Sequence, residues 1–214
     1  MNIWPTDDRT EELLQGARQG DAAAAERLLD RHRDALRRMI DMRLDRKIQT
    51  RVDASDIVQE VLVDANRRLE EYLANPAMPF HLWLRHMAQD RIIDAYRRHR
   101  GSAKRSVDRE QAMLAPSLDD RSTMNLAAEL SDGELTPAAA ATMREMQLRF
   151  QAAIEELGDQ DREIVLMRHF EHMSNQEAAI ALGLTEPAAS MRYLRAIRRL
   201  RQLLGQPSSE SDEA

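Results

Sequence analysis

The feature that most constrains the fold is the helical spacing of apolar residues, which recurs along most of the chain. Ile57, Val61, Ala65, Leu69 and Tyr72 follow one another at steps of four, four, four and three. This spacing places the five side chains on one face of an α-helix, whereas a half-buried strand would alternate apolar and polar residues. The 214 residues include only 7 Gly and 7 Pro, and so few turn-forming residues favour long helices over many short strands. We therefore expect an all-α fold.

Breaks in the pattern predict a first helical domain over residues 1–100. One helix is capped by Asp21 and continues to about residue 44. A second begins after Asp53, because Asp is a preferred N-cap, and ends at the proline-containing segment 75–79. A third covers residues 80–99, and Gly101 is expected to end it.

The rest of the chain is expected to form a linker, a second helical domain and a tail. Residues 101–142 contain prolines and clusters of acidic and small polar residues, which are typical of a flexible tether. Helical spacing resumes over residues 143–205 and includes a predicted helix from Asp161 to His169. The acidic residues 206–214 are expected to be disordered.

Composition narrows the class of protein. The chain has no Cys and a formal net charge of -6, so disulfides and thiolate metal sites are excluded. Its first residues lack the basic start and apolar run of a secretory signal, and no apolar stretch is long enough for a membrane span. A cytoplasmic protein without membrane insertion is expected. The histidines lack the ligand spacing of a zinc site, so no metal or other cofactor is expected.

The segment from Ser174 to Arg201 has the pattern of a helix-turn-helix. Ser174 and Glu177 form a capping box at the start of a short helix. Gly183 closes that helix, since glycine readily adopts a left-handed conformation, and Thr185 caps the next. Such a pair of helices is typical of DNA-binding domains.

The second of these helices separates apolar from basic residues. Its predicted apolar face comprises Tyr193, Ile197, Leu200 and Leu204, and its predicted basic face comprises Arg192, Arg195 and Arg199. A basic face can contact phosphates and base edges in a major groove, although a solvated face on an ordinary helical hairpin has the same pattern.

Two further segments carry patterned charge. Asp56, Gln59, Glu60 and Asp64 lie next to the apolar stripe of their helix, where they would either dock a basic partner helix or remain solvated. The segment 80–105 combines aromatic and basic residues. Stacking on unpaired bases and an ordinary aromatic core with a basic helix end both explain that combination.

In their order and spacing these segments resemble the extracytoplasmic-function (ECF) group of the sigma-70 family of RNA polymerase sigma factors. Residues 11–100 resemble the sigma-2 domain and residues 147–204 the sigma-4 domain. In "DASDIVQEVLVDA" the family pattern falls on Asp56, Gln59 and Glu60. The resemblance implies that these residues dock on the clamp helices of the polymerase beta-prime subunit.

The resemblance also implies two sets of DNA contacts. In "FHLWLRHMAQDRIIDAYRRHR" and the loop before it, the positions implied at the -10 element are Asn75, Arg91, Asp94, Arg97 and Arg98, with Asp90 where many members have Asn. The loop from Ala74 to Pro79 corresponds to one that captures a flipped-out base. The positions implied at the -35 element are Ser190, Arg192, Arg195 and Arg199, with Ser190 where many members have Lys.

The implied function is that of a non-catalytic factor that brings core RNA polymerase to promoters with -35 and -10 elements and helps to open the -10 region. The implied partners are core polymerase, through its beta-prime clamp helices and beta flap, promoter DNA, and an anti-sigma factor of the kind that many members have. The alternatives from the residues are a stand-alone helix-turn-helix regulator, independent of polymerase, and a helical hydrolase that uses the carboxylates and histidines.

Overall fold

The computed structural model describes residues 2–44, 46–49, 51–103 and 148–205. All regular elements among these residues are helical, which confirms the predicted all-α class. The chain divides into two compact units, Met1–Ser117 and Leu118–Ala214. Most of the predicted linker and the whole predicted tail lie outside the described residues. No helix among those described is long and apolar enough to cross a membrane.

The described part of the first unit contains six helices: α1 (Asp8–Arg18), α2 (Ala22–Arg31), α3 (Arg33–Asp41), α4 (Arg46–Gln49), α5 (Ala54–Ala74) and α6 (Phe80–Ala103). The long helices α5 and α6 pack against each other and against α3, while α1 packs against α2. The predicted stripe on α5 faces this core, and its five residues are all buried. Burying one large aliphatic side chain contributes about 1.5–3 kcal/mol, so the stripe is a major source of stability.

Aromatic rings close the core where α5 and α6 meet. Tyr72 and Trp83 stack with their ring centroids 4.7 Å apart, and Phe80 lies 5.6 Å from Trp83. The Tyr72 hydroxyl donates a hydrogen bond of 2.9 Å to the carbonyl of Met78. This bond ties the segment after α5 to the core, and burial raises the pKa of Tyr72.

The single helix predicted from Asp21 to about residue 44 is wrong, because the chain turns at His32. Asp21 caps α2 as expected, but His32 separates α2 from α3 with φ -94° and ψ -3°. The His32 ring is fully buried, and its Nδ1 donates a hydrogen bond of 2.8 Å to the carbonyl of Leu28. No Gly or Pro marks this turn, so tertiary packing sets its position.

The predicted end of α6 at Gly101 is also wrong. The helix continues to Ala103. A single glycine lowers helix propensity by about 1 kcal/mol without preventing helical backbone geometry, and so it does not have to end a helix.

The described part of the second unit contains a helix over residues 148–155 (α7), α8 (Asp159–Val165), α9 (Asn175–Leu182) and α10 (Glu186–Gly205). The helix predicted from Asp161 to His169 begins earlier, and its α-helical part is shorter. Its last turn, Leu166–Phe170, is a π-helix, in which the Glu171 N–H donates to the Leu166 carbonyl at 3.0 Å. This wider turn leads into the helix-turn-helix.

Candidate nucleic-acid and protein interfaces

The acidic face of α5 begins at a strong helix cap. Asp53 accepts a hydrogen bond of 2.8 Å from the Ser55 N–H, which lowers the pKa of Asp53. Asp56 lies in the first helical turn, where the helix dipole stabilises negative charge. Asp56 and Gln59 are exposed, and Glu60 is half-buried. The three predicted polymerase-docking residues therefore lie on one accessible side of one helix.

Val63 extends this acidic face by one turn and was missed by the sequence analysis. Its side chain is 61% exposed, and it follows Gln59 and Glu60 at steps of four and three. The available signal was an apolar residue outside the buried stripe of α5. An apolar side chain in this position can add contact area to a docking surface that is otherwise polar.

Glu60 also contacts two predicted DNA-binding residues on α6. Its Oε2 lies 3.6 Å from Nη2 of Arg98 and 3.9 Å from Nη1 of Arg91. Arg91 pairs in addition with Asp64, a carboxylate that is only 7% exposed and also pairs with Arg67. We call Glu60, Asp64, Arg91 and Arg98 the α5–α6 charge cluster. It joins a predicted polymerase contact directly to predicted -10 contacts.

The other predicted -10 residues lie outside this cluster. Arg97 is exposed, and its Nη1 is 3.7 Å from Oδ1 of Asp94. Asn75 is the exposed C-cap residue of α5, next to the start of α6. At 1.5 Å per residue, about 16 Å of helix separates Phe80 from Arg91, so the structure does not bring Asn75 together with Arg91, Arg97 or Arg98.

The second unit contains the predicted helix-turn-helix, and its local signals are confirmed. Ser174 and Glu177 form the capping box, and Gly183 ends α9 with φ 64°. Thr185 Oγ1 accepts from the Ala188 N–H at 3.3 Å. Asn175 Nδ2 donates to the Glu186 carbonyl at 3.0 Å, which links the starts of α9 and α10. These bonds fix the angle at which α10 leaves the turn.

The predicted basic face of α10 is only partly exposed. Arg195 and Arg199 extend into solvent, as do Arg198 and Arg201. Arg192 instead turns towards α8, where its guanidinium bonds to Gln160 and lies 3.8 Å from Asp161, and its side chain is 21% exposed. Ser190 is half-buried. The predicted -35 residues thus divide into two accessible arginines and two positions turned partly towards the domain.

The predicted apolar face of α10 has one polar member. Ile197 and Leu200 are buried as expected, and Leu204 is half-buried. Tyr193 is half-buried, and its hydroxyl hydrogen-bonds to His169 while the Arg168 guanidinium lies 5.7 Å from the centre of its ring. Tyr193 therefore anchors α10 to the π-helical turn.

Two exposed apolar residues on α10 were missed by the sequence analysis. Met191 is 54% exposed and Leu194 is 46% exposed. The pattern held a signal for them, because both fall outside the apolar face formed by residues 193, 197 and 200. Within the described residues, no cluster of three or more side chains is arranged to hold a metal ion.

Comparison with protein families matches both units. The model for Sigma-70 region 2 matches residues 27–102, and the model for Sigma-70, region 4 matches residues 147–200. The two matches together cover more than half of the chain, and region 2 precedes region 4 as the sequence resemblance predicted. The chain belongs to the sigma-70 family of RNA polymerase sigma factors. Within this family it is a member of the ECF group. Relatives named as ECF sigma factors are similar to it over most of the chain.

Three curated relatives are similar over most of the chain. CnrH of Cupriavidus metallidurans is 28% identical over 158 residues, which are 74% of this chain and 76% of CnrH. NccH of Alcaligenes xylosoxydans is 29% identical over 200 residues, 91% of this chain and 94% of NccH. The ECF sigma factor SigD of Mycobacterium tuberculosis is 25% identical over 194 residues, 91% of this chain and 83% of SigD.

Two solved structures share the fold. CnrH in complex with the cytosolic domain of CnrY has a TM-score of 0.57 and 23% identity, covering 92% of this chain and 97% of CnrH. RpoE in complex with the anti-sigma factor NepR, from Bartonella quintana, has a TM-score of 0.53 and 20% identity, covering 84% of this chain and 94% of RpoE.

The family defines the coarse function. Sigma factors are non-catalytic subunits that act with RNA polymerase in promoter-specific initiation of transcription. A stand-alone helix-turn-helix regulator is not favoured, because the first unit matches Sigma-70 region 2. The hydrolase alternative has no support from these matches.

Proposed function

We propose that this chain binds core RNA polymerase, directs it to promoters with specific -35 and -10 elements, and helps to separate the strands at the -10 element. The observation that carries this proposal is the ordered pair of family matches, with region 2 in the first unit and region 4 in the second. The proposed place of action is the cytoplasm, where polymerase and promoter DNA are found.

Docking on polymerase is proposed to use the exposed side of α5. Asp56, Gln59 and Glu60 offer two carboxylates and an amide to the clamp helices of the beta-prime subunit. Complementary charges across an interface raise the association rate and fix the relative position of the two partners more than they add to affinity. Val63 would supply apolar contact beside them. The second unit is proposed to contact the beta flap.

Promoter opening is proposed to use α6 and the loop that precedes it. Arg97 and Arg98 are exposed, and cationic side chains of this kind hold the DNA backbone. Arg91 and Asp94 lie on the same helix, and Asn75 lies in the loop region where an unstacked base would be held. Extruding a base costs a few kcal/mol, which contacts in such a pocket offset.

Recognition of the -35 element is proposed to use α10 as the helix that enters the major groove. Arg195 and Arg199 are accessible for phosphate contacts. Arg192 and Ser190, which are partly turned towards the domain, are proposed to position this helix and to contact DNA at the edge of the groove. The net charge of -6 limits binding of the free chain to arbitrary DNA.

An anti-sigma factor is a further proposed partner. RpoE and CnrH, which share the fold, were solved in complexes with NepR, an anti-sigma factor, and with the cytosolic domain of CnrY. A protein of this kind would hold the chain away from polymerase until a signal releases it.

Association with bacterial core RNA polymerase during size-exclusion chromatography at moderate salt tests the proposal. We expect the full chain to co-elute with core polymerase, and we expect Asp56→Arg to weaken this association by at least tenfold. Glu12→Arg, on α1, makes the same charge change at another exposed acidic residue and is expected to co-elute normally. Failure of the folded chain to associate would contradict the proposal.

A further inference from the structure

We propose that α10 reads the -35 element mainly through the methyl groups of thymine, with Met191 as the residue that determines specificity. This inference rests on the proposed function, because it assigns a chemistry to the recognition of the -35 element. It predicts that the base pairs facing the first turns of α10 are A·T pairs.

The outward side of the first turns of α10 is apolar. Pro187, Ala188, Met191 and Leu194 are all exposed, and they succeed one another at steps of one, three and three. Ala189 and Ala196, on the opposite side of the helix, are fully buried. The part of a recognition helix that contacts base edges is its N-terminal part. Apart from the exposed carboxylate of Glu186 at its start, this part of α10 presents carbon and sulfur atoms.

The one arginine in these turns is turned away from their outward side. Arg192 is the only basic residue between Glu186 and Leu194. Its guanidinium pairs with Gln160 and Asp161 of α8. The usual contact with guanine is a bidentate hydrogen bond from Arg or Lys, and the outward side of these turns offers no such donor. A guanine that faces these turns would therefore lack the bidentate hydrogen bond by which Arg or Lys usually recognises it.

The charges that follow identify nucleic acid as the occupant of this apolar surface. Arg195, Arg198, Arg199 and Arg201 are exposed on the next turns of the same helix. Exposed apolar residues beside four accessible guanidinium groups match a major groove, which has apolar methyl groups on its floor and phosphates along its edges. A purely apolar protein groove would leave these charges without partners.

The thymine methyl group is the apolar feature that distinguishes base pairs in the major groove. Methionine suits this contact because its unbranched, polarisable side chain adapts to the position of a small apolar group. Removing a single buried methyl group weakens binding by about three- to fivefold. That difference sets the size of the effect that an experiment has to resolve.

The test begins with selection of duplexes, randomised across the -35 region, by the complex of the full chain with core polymerase. In the selected duplex each thymine is then replaced by deoxyuridine, which removes the methyl group and keeps the base pair. The dissociation constant of the complex for each duplex is measured for the wild type, for Met191→Ala and for Leu148→Ala. Leu148 is 46% exposed on α7 and serves as the matched control.

We expect one or two thymines at which deoxyuridine weakens the wild type and Leu148→Ala about three- to fivefold and leaves Met191→Ala unchanged. Equal binding of thymine and deoxyuridine at every position would overturn the inference, as would a selected element without thymine or a full penalty retained by Met191→Ala. In those cases recognition of the -35 element itself would stand. Failure to select any sequence would instead overturn the proposed function, and the inference with it.

Discussion

Asp64 on α5 and Arg91 on α6 form an ion pair that links the two long helices of the first unit. Asp64 is almost fully buried, and Arg91 bridges from it towards Glu60 at the surface. Without Arg91, the carboxylate of Asp64 would keep Arg67 on its own helix but would lose its partner on α6. A buried charge with less compensation is destabilising. Arg91 therefore has a structural role that is independent of any contact with DNA.

Replacing Arg91 with Ala is expected to lower the free energy of unfolding of the first unit by about 1–3 kcal/mol, because Asp64 would lose this partner. The two tryptophans, Trp4 and Trp83, both lie in this unit, so tryptophan fluorescence during urea unfolding reports on it selectively. Arg97→Ala, which removes an exposed arginine of the same helix, is the control and should change stability by less than about 0.5 kcal/mol. Equal effects of the two variants would show that the pair contributes little.

Replacing Arg195 with Ala is expected to weaken binding of promoter DNA by the polymerase complex about equally for all -35 sequences. The exposed position of Arg195 in the later turns of α10 indicates a phosphate contact. The slope of log affinity against log salt concentration should then fall by about one. Arg27→Ala, an exposed arginine of the first unit, should leave the slope unchanged. A sequence-dependent loss for Arg195→Ala would instead indicate that it contacts a base.

Acidification is expected to destabilise the first unit through His32. Burial lowers the pKa of His32 to about 4, from an ordinary value of 6.5. The unfolded chain therefore binds a proton that the folded chain rejects, and stability is lost as the pH falls from about 6.5 towards 4, by up to about 3 kcal/mol. Tryptophan-detected urea unfolding at several pH values in this window measures the loss.

The variant His32→Asn isolates this titration. An Asn side chain can still donate to the Leu28 carbonyl but cannot be protonated in this range. The variant is expected to be less stable at neutral pH and to lose less stability on acidification, by about one proton in the pH slope. An unchanged slope would assign the acid sensitivity to other groups.

The turn of the helix-turn-helix should be sensitive to the residue at position 183. Gly183 has φ 64°, and the space that a β-carbon would occupy there is open, so Gly183→Ala should cost about 1 kcal/mol through backbone strain alone. Gly158 also has open space, but its φ is -61° and it makes no side-chain cap bond as the N-cap of α8. Gly158→Ala is therefore the control for the positive φ and should cost less than Gly183→Ala. Thermal unfolding followed by circular dichroism at 222 nm measures both. Similar shifts in melting temperature for the two variants would show that the positive φ at Gly183 does not cause the loss of stability.

Much of the architecture was predictable from residues close together in the chain. The buried stripe on α5, the caps at Asp21, Asp53 and Ser174 and the left-handed Gly183 all follow from helical geometry and from hydrogen bonds within a few residues. The failures at His32 and Gly101 have a common cause. Local propensity differs by only about 1 kcal/mol between helix and turn, so packing decides where a helix breaks.

The exposed faces of α5 and α10 were predictable only in outline. Spacing placed Asp56, Gln59 and Glu60 on one side of α5. The position of Val63 outside the apolar stripe also indicated that its side chain is exposed. The exposure of Met191 was likewise predictable, because Met191 lies outside the apolar face of α10. The partners of Glu60 and Arg192 were not, since the sequence does not state which distant residue a long side chain will meet.

By itself, then, the sequence determined the all-α class, the helix-turn-helix and the resemblance to the sigma-70 family, since these depend on periodicity and short motifs. Only the tertiary structure decided which charges remain accessible. Glu60 of α5 lies in ion-pair distance of Arg91 and Arg98 of α6. In the second unit, Arg192 of α10 forms an ion pair with Asp161 of α8. Such pairs form between residues far apart in the chain, because the packing of apolar faces brings their helices together.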